Sequence, residues 1–172
     1  ADPHIGLLHR GTEKLIETFG AGFYRFTDYK GKKPEKNTQV ETIEFSAITR
    51  SEQNKLNRSI KAGSALSAGV AEAKDLGNTP GNVCTPTYLA ARARKLAKNY
   101  GSITATVIDE KEIDKLGMGA FMSVSQGSVQ PGKLIIMRYR GGKAKAKPHV
   151  LVGKGITFDT GGISLKPGAG MH

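Results

Sequence analysis

The chain has 172 residues, 38% in the hydrophobic set and 24% charged, with 22 glycines, which excludes disorder, collagen and coiled coil as readings of the whole chain. Lys and Arg number 26 against 15 Asp and Glu, a formal net charge of +11, enough to attract polyanions through a long-range field without naming one. One cysteine, Cys84, excludes an internal disulfide and a cysteine-rich zinc site, so a reducing, cytoplasmic setting is the expectation.

No run approaches the ~20 apolar residues that span a bilayer, and residues 1–10 lack the basic stretch and apolar core of an export signal. The length fits one domain or slightly more, with roughly 70% of the unfolded surface buried. The chain starts without Met, and Met171-His172 follows a Gly-rich tail, so both ends read as cuts in something longer.

In chain order, TEKLIETFG places Leu15, Ile16 and Phe19 at helical spacing, a helix signal that opens residues 12–29 and runs into the aromatic GAGFYRF. KGKKPEKNTQ then sets Lys30, Lys32, Lys33 and Lys36 around Pro34, a solvated and mobile loop, before the alternating VETIEF, which reads as a strand. From Ser51, the residues Leu56, Ile60, Ala62, Leu66, Val70, Ala73 and Leu76 recur every three to four positions, predicting one long helix over about 51–76. GNTPGN, residues 77–82, ends it: Gly supplies positive φ and Pro80 cannot continue the ladder. A junction between units is expected there.

Thr85-Pro86 starts the next helix as N-cap and first-turn proline; Leu89, Ala93, Leu96, Ala97 and Tyr100 form its stripe and Gly101 stops it. A strand ITATVID, a short helix EKEIDKLG and two apolar runs, KLIIMRY and HVLVG, follow. The alternation predicts an α/β fold with a mixed or largely parallel sheet flanked by helices. Both apolar runs are nearly continuous, as strands covered on two faces are. GGKAKAK, residues 141–147, is the loop between them.

The chemistry concentrates in VLVGKGITFDTGGISLKPG, residues 150–168, where an apolar run leads into Lys154, Asp159 and Lys166 among glycines. In an open α/β sheet the crevice beyond the strands' carboxyl ends is where ligands bind. Glycine lets backbone approach a ligand closely, and charges beside low-dielectric walls need compensation. Phosphate is one compensator, but neither VGKGIT nor GAGFYRF has P-loop or GxGxxG spacing. A metal pair is the other: a carboxylate bridges two ions, a neutral amine ligates one, and a protonated amine steadies oxyanion charge. Keeping an amine neutral at pH 7 costs about 4 to 5 kcal/mol, which a bound dication supplies. Without further information, structural or salt-bridging roles for these three residues weigh about evenly against functional ones. Cys84 reads as buried filler, and His4, His9, His149 and His172 show no paired ligand spacing.

VGKGITFDTGGISLKPG resembles the signature of the leucyl aminopeptidase family, the two-metal cytosolic aminopeptidases, and NTPGNVCTPTYLA, residues 78–90, resembles the entry to their catalytic domain. GFYRFTDYK, DEKEIDKLGMGAFMSVSQGS and KLIIMRY resemble further family segments in family order. The resemblance implies that Lys154 is the amine ligand to one metal, that Asp159 bridges both, and that Lys166 is the catalytic charge that polarises the scissile carbonyl. It implies two divalent ions, zinc or manganese, a bicarbonate serving as base in the complete enzyme, peptide substrates with apolar amino-terminal residues, a cytoplasmic location and a homo-hexamer.

The family's remaining ligands, a further Asp and later an Asp, a Glu and an Arg, lie beyond residue 172 of this sequence. The resemblance therefore implies a fragment: residues 1–50 the remnant of an amino-terminal α/β domain, 51–82 a linking helix and turn, and 83–172 the first part of a catalytic domain, without activity of its own. The alternative reading is a basic DNA-binding accessory module, carried by the lysines at 30–36 and 143–147. Low aromatic content, 6%, argues against single-strand or RNA binding, leaving duplex backbone.

Overall fold

The computed structural model of the chain describes residues 3–31, 40–143, 145–159 and 169. Its elements are α1 (Pro3–Phe23), α2 (Arg50–Asn78), α3 (Pro86–Asn99), β1 (Ile103–Asp109), α4 (Glu110–Lys115), α5 (Gly119–Ser125) and β2 (Lys133–Tyr139). They fall into two units, 1–79 and 80–172.

In the first unit, α2 begins on a capping box. The Thr49 hydroxyl accepts from the Glu52 amide at 3.2 Å, and the Glu52 carboxylate accepts from the amides of Thr49 at 3.0 Å and Ile48 at 3.1 Å. Three amides at this end, two of them just ahead of the helix, are thereby satisfied. Leu56, Ser59 and Gly63 of α2 are buried. A Cβ on Gly63 would lie 3.0 Å from both the Glu13 carbonyl and the Ile16 side chain, and one on Gly20 would collide with Ser67. These two glycines are where α1 and α2 approach closest. Beyond α1, the Tyr24 hydroxyl donates to Asp75 at 2.7 Å and accepts from Asn78 at 3.1 Å, while the Lys74 ammonium stands 4.9 Å from its ring centre. Partial burial and then the Asp75 bond raise the Tyr24 phenol above its ordinary range.

Several expectations for this unit change. The first helix runs from Pro3 to Phe23 instead of opening near residue 12. Residues 40–45 form no strand, and Val40 and Ile43 are exposed. A strand needs a neighbour, and the described elements of this unit are helices. Of the charged loop read at 30–39, residues 32–39 lie outside the described residues, and Lys30 is exposed. The long helix is present with bounds close to those read, but its end has another cause. Gly77 stays helical, and the chain leaves the helix at Thr79, φ −70° and ψ 126°, because a residue before proline is driven out of the α region.

The second unit is built on α3 and a two-stranded sheet. Thr85 caps α3, accepting from the Tyr88 amide at 3.3 Å, and Pro86 occupies the first turn. Ala90 and Ala93 are its buried face, packed on the sheet. Exposure alternates along most of β1, as expected for a strand covered on one side. β1 pairs antiparallel with β2, Ile103 facing Tyr139 and Asp109 facing Lys133.

The two described strands are thus antiparallel, a pairing that the expected mixed sheet contains and a wholly parallel one does not. A parallel return needs a helix that travels back along the strand. The seven residues of β1 extend about 23 Å, whereas the six of α4 and the seven of α5 rise about 9 Å and about 10 Å, neither enough to travel back along it. The chain therefore re-enters beside the end it left. α4 anchors this reversal through Ile113, fully buried, and through Glu110, whose carboxylate accepts from the Gly132 amide at 2.7 Å. β2 is half-buried from Lys133 to Ile136 and exposed beyond, so it is not covered on both faces. Residues 149–153 are not a strand: Val150, Leu151 and Val152 are 75%, 97% and 94% exposed. They pair with no strand among the described residues.

Two predictions follow from these contacts. Thr49→Ala removes the cap of α2 and lowers the stability of the first unit by about 1 kcal/mol, read as a shift of the urea midpoint by circular dichroism; an unchanged midpoint contradicts the capping box. In the second unit, Lys133 donates to Asp109 at 2.7 Å, and that bond, then its charge, holds the Asp109 carboxyl below the ordinary range. A depressed carboxyl contributes stability above its unfolded value, near pH 4, and loses it as pH falls through the lower folded value. Asp109→Asn is therefore less stable than the parent chain at pH 7, and the two converge in acid. The difference at pH 7 is small, because the Asp109 side chain is 66% exposed.

Candidate functional site

The site is assembled from the turn after α2 upward. The Pro80 carbonyl accepts from the amides of Val83 at 2.9 Å and Cys84 at 2.8 Å, and Thr85 closes the turn by donating to Val83 at 2.8 Å. Cys84 is buried at its end, and burial pushes its thiol up, which keeps it neutral filler as the sequence indicated. Segment 153–159 runs across this turn. The Thr157 carbonyl passes so close over Gly81 that a Cβ there would overlap it, and Phe158 Cβ lies 3.5 Å from the same point. A Cβ on Gly155 would stand 3.9 Å from Leu89 Cδ1 of α3. Gly81 of the turn thus lets two backbones meet.

Lys154 and Asp159 sit on this segment, and both are exposed at the surface of the second unit. Lys166 lies outside the described residues. The structure therefore places two of the three predicted side chains on a segment held against the start of α3. Among the described residues, no group of three or more His, Cys, Asp or Glu comes together as a metal set. One amine and one carboxylate do not complete the coordination of two dications, which take about four donors each. The donor set described here does not by itself fit a metal pair.

An open cleft between α1 and α2 is lined by Glu17, Tyr24, Ser67 and Lys74 among others, and includes neither Lys154 nor Asp159. Its Tyr24 and Lys74 are engaged with Asp75, Asn78 and each other. The contact of Gly81 with Thr157 was not anticipated: the reading gave the turn's glycines positive φ, but among the described residues only Tyr29 and Gly117 have it. No helix among the described residues is long and apolar enough to cross a membrane.

Comparison with known proteins agrees with the order of these segments. The family model described as the cytosol aminopeptidase family, catalytic domain, matches residues 71–172. A probable cytosol aminopeptidase of Stutzerimonas stutzeri (strain A1501) is 49% identical over 160 residues, covering 93% of this chain and 32% of that protein. A probable cytosol aminopeptidase of Nitrosococcus oceani is 48% identical over 171 residues, 99% of this chain and 34% of the relative. The cytosol aminopeptidase of Pseudomonas aeruginosa strain PAO1 is 45% identical over 167 residues, 95% and 32%. The chain spans about a third of the length of these curated relatives. With more than half its residues inside the family model, the chain belongs to the cytosol aminopeptidase family.

Proposed function

We propose that this chain is a fragment, the end of the amino-terminal domain and the start of the catalytic domain, of a metal-dependent aminopeptidase that removes amino-terminal residues, preferentially apolar ones, from peptides in the cytoplasm. The observation that carries this reading is the match of residues 71–172 to the family's catalytic domain, a range that includes Lys154, Asp159 and Lys166. Lys154 is then an amine ligand, Asp159 the bridging carboxylate and Lys166 the charge on the scissile carbonyl. When bound, the divalent ions, zinc or manganese, supply a Lewis acid and an activated water, and bicarbonate serves as base. Residues 1–50 belong to an amino-terminal domain, 51–82 link it to the catalytic domain from 83 onward, and the complete sheet is mixed. The complete enzyme is a homo-hexamer.

The chain's own contribution is positional. Gly81 allows segment 153–159 to lie against the turn, so Lys154 and Asp159 are presented from a supported backbone. With too few donors for two ions, the 172-residue chain alone is inactive. The duplex-DNA alternative has nothing specific in its favour: Lys143, Lys145 and Lys147 are exposed, as solvated loop lysines are.

The test extends this chain with the sequence of the Pseudomonas aeruginosa relative that follows the matched region and measures leucine anilide hydrolysis with and without chelator. Chelator-sensitive hydrolysis is expected, falling by at least about 100-fold in kcat/KM for Asp159→Asn, since even outer-shell changes at metal sites cost 10- to 100-fold. For Lys166→Ala, kcat falls by about 100- to 1000-fold, as when an oxyanion donor is removed. Hydrolysis that survives both chelator and Asp159→Asn overturns the assignment.

A further inference from the structure

Charge is sorted along the second unit. Its acidic residues are Asp109, Glu110, Glu112, Asp114 and Asp159, so residues 80–108 and 115–158 carry none. Four of the five stand where β1 runs into α4. The other end of the strand, about 23 Å away, gathers cations instead. There the chain passes from α3 into β1, the Ile103 amide donating to the Tyr100 carbonyl at 2.9 Å, and β2 finishes alongside, the Arg140 amide donating to the Ser102 carbonyl at 2.8 Å. Lys98, Arg138 and Arg140, with Lys143, Lys145 and Lys147 of the loop that follows, are all exposed. The length of the strand exceeds the screening distance of about 8 Å in physiological salt, so these six act as a cationic pole. A merely solvated surface intersperses the two signs.

Loop lysines alone name no ligand. The second observation is aromatic: Tyr100 and Tyr139, 56% and 73% exposed, stand at this same end, Tyr139 directly opposite Ile103. Two of the chain's five tyrosines are thereby set among the cations, which an aromatic content of 6% did not suggest. Cations neutralise the phosphates of any nucleic acid, but an exposed ring stacks only on a base that has no partner strand. An acidic peptide would match the charges and leave the rings without a planar partner.

We propose that this end of the second unit binds single-stranded RNA, with phosphates on the six cations and bases on Tyr100 and Tyr139. RNA is the single strand that the cytoplasmic setting proposed above supplies; the inference rests on that location and not on peptidase chemistry. The pole lies at the carboxyl end of α3, whereas Leu89, near the amino end, meets the segment of Lys154 and Asp159. Binding and hydrolysis therefore use opposite ends of one helix.

The experiment titrates the extended chain of the peptidase test into a fluorescein-labelled uridine RNA of about 16 nucleotides and follows anisotropy between about 50 and 200 mM KCl. Binding is expected, weakening with salt at a log–log slope of up to about −4, about 0.7 for each of the six cations. Changing Lys143, Lys145 and Lys147 together to Ala reduces that slope by about 2. Lys115→Ala, exposed among the acids, leaves it unchanged. Tyr100→Leu and Tyr139→Leu each weaken binding at least about fivefold at constant slope, the loss of one stacked base, and Phe at either position restores it. Tyr29→Leu, an exposed tyrosine of the first unit, changes nothing.

The inference is overturned by absence of binding at about 50 mM salt, by tighter binding of a duplex of the same length, by indifference to both leucine variants at the pole, or by an equal loss from Tyr29→Leu. Its failure is distinct from failure of the peptidase reading. A chain that binds RNA without hydrolysing leucine anilide sinks the peptidase alone, and one that hydrolyses it without binding RNA sinks the RNA site alone.

Discussion

Pro80 has no amide hydrogen to donate and does not tolerate a helical residue before it. Those two properties organise the middle of the chain. Thr79 is driven to extended geometry, and its amide and hydroxyl fold back on the Asp75 carbonyl at 2.9 and 2.6 Å, closing α2. On the other side, the Pro80 carbonyl takes the amides of Val83 and Cys84, so the chain reaches Thr85 already turned and ready to cap α3. The turn leaves Gly81 bare beneath the Thr157 carbonyl. The same residue that stops one helix therefore prepares the surface on which the Lys154 to Asp159 segment lies.

α3 then ties that segment to the sheet. Its alanines at 90 and 93 are buried, and because Ala has no long side chain the helix lies close on β1 and β2. Leu89, one residue before that face, approaches Gly155 instead. One short helix thus supports both the antiparallel pair and the loop with the candidate ligands.

The parts legible in the sequence were those whose signal is local. ITATVID and KLIIMRY are strands with the bounds read, and Thr85-Pro86 opens a helix as its cap chemistry requires. The capping box of α2 was equally present, since Thr49 and Glu52 stand at the required spacing, but the apolar stripe from Leu56 drew attention past it. α5 was hidden because GAFMSVS is rich in Gly, Ser and Val, which are weak helix formers. What failed was strand assignment at 40–45 and 149–153, because pairing depends on residues elsewhere in the chain. Lys154 and Asp159 stood out as polar groups among glycines after an apolar run, yet their support on Gly81 and Leu89 is a contact across more than sixty positions and leaves no local mark.

Magnitudes explain why 149–153 form no strand with the described residues. Covering Val150, Leu151 and Val152 is worth about 1.5–3 kcal/mol each, or roughly 5–9 in all. Ordering five backbone residues costs about 1–2 kcal/mol each, roughly 5–10. The two nearly cancel, so apolar burial alone does not form the strand. The surplus has to come from ladder hydrogen bonds, each about 0.5–1.5 kcal/mol net, and these exist only when a neighbouring strand is in place. Burial on both faces and pairing along the edge must then arrive together, which makes strand formation cooperative with assembly of a neighbouring sheet. Replacing the Leu151 contribution by the cost of burying an ammonium reverses the sign of the sum, so one residue in the run decides whether it is taken up.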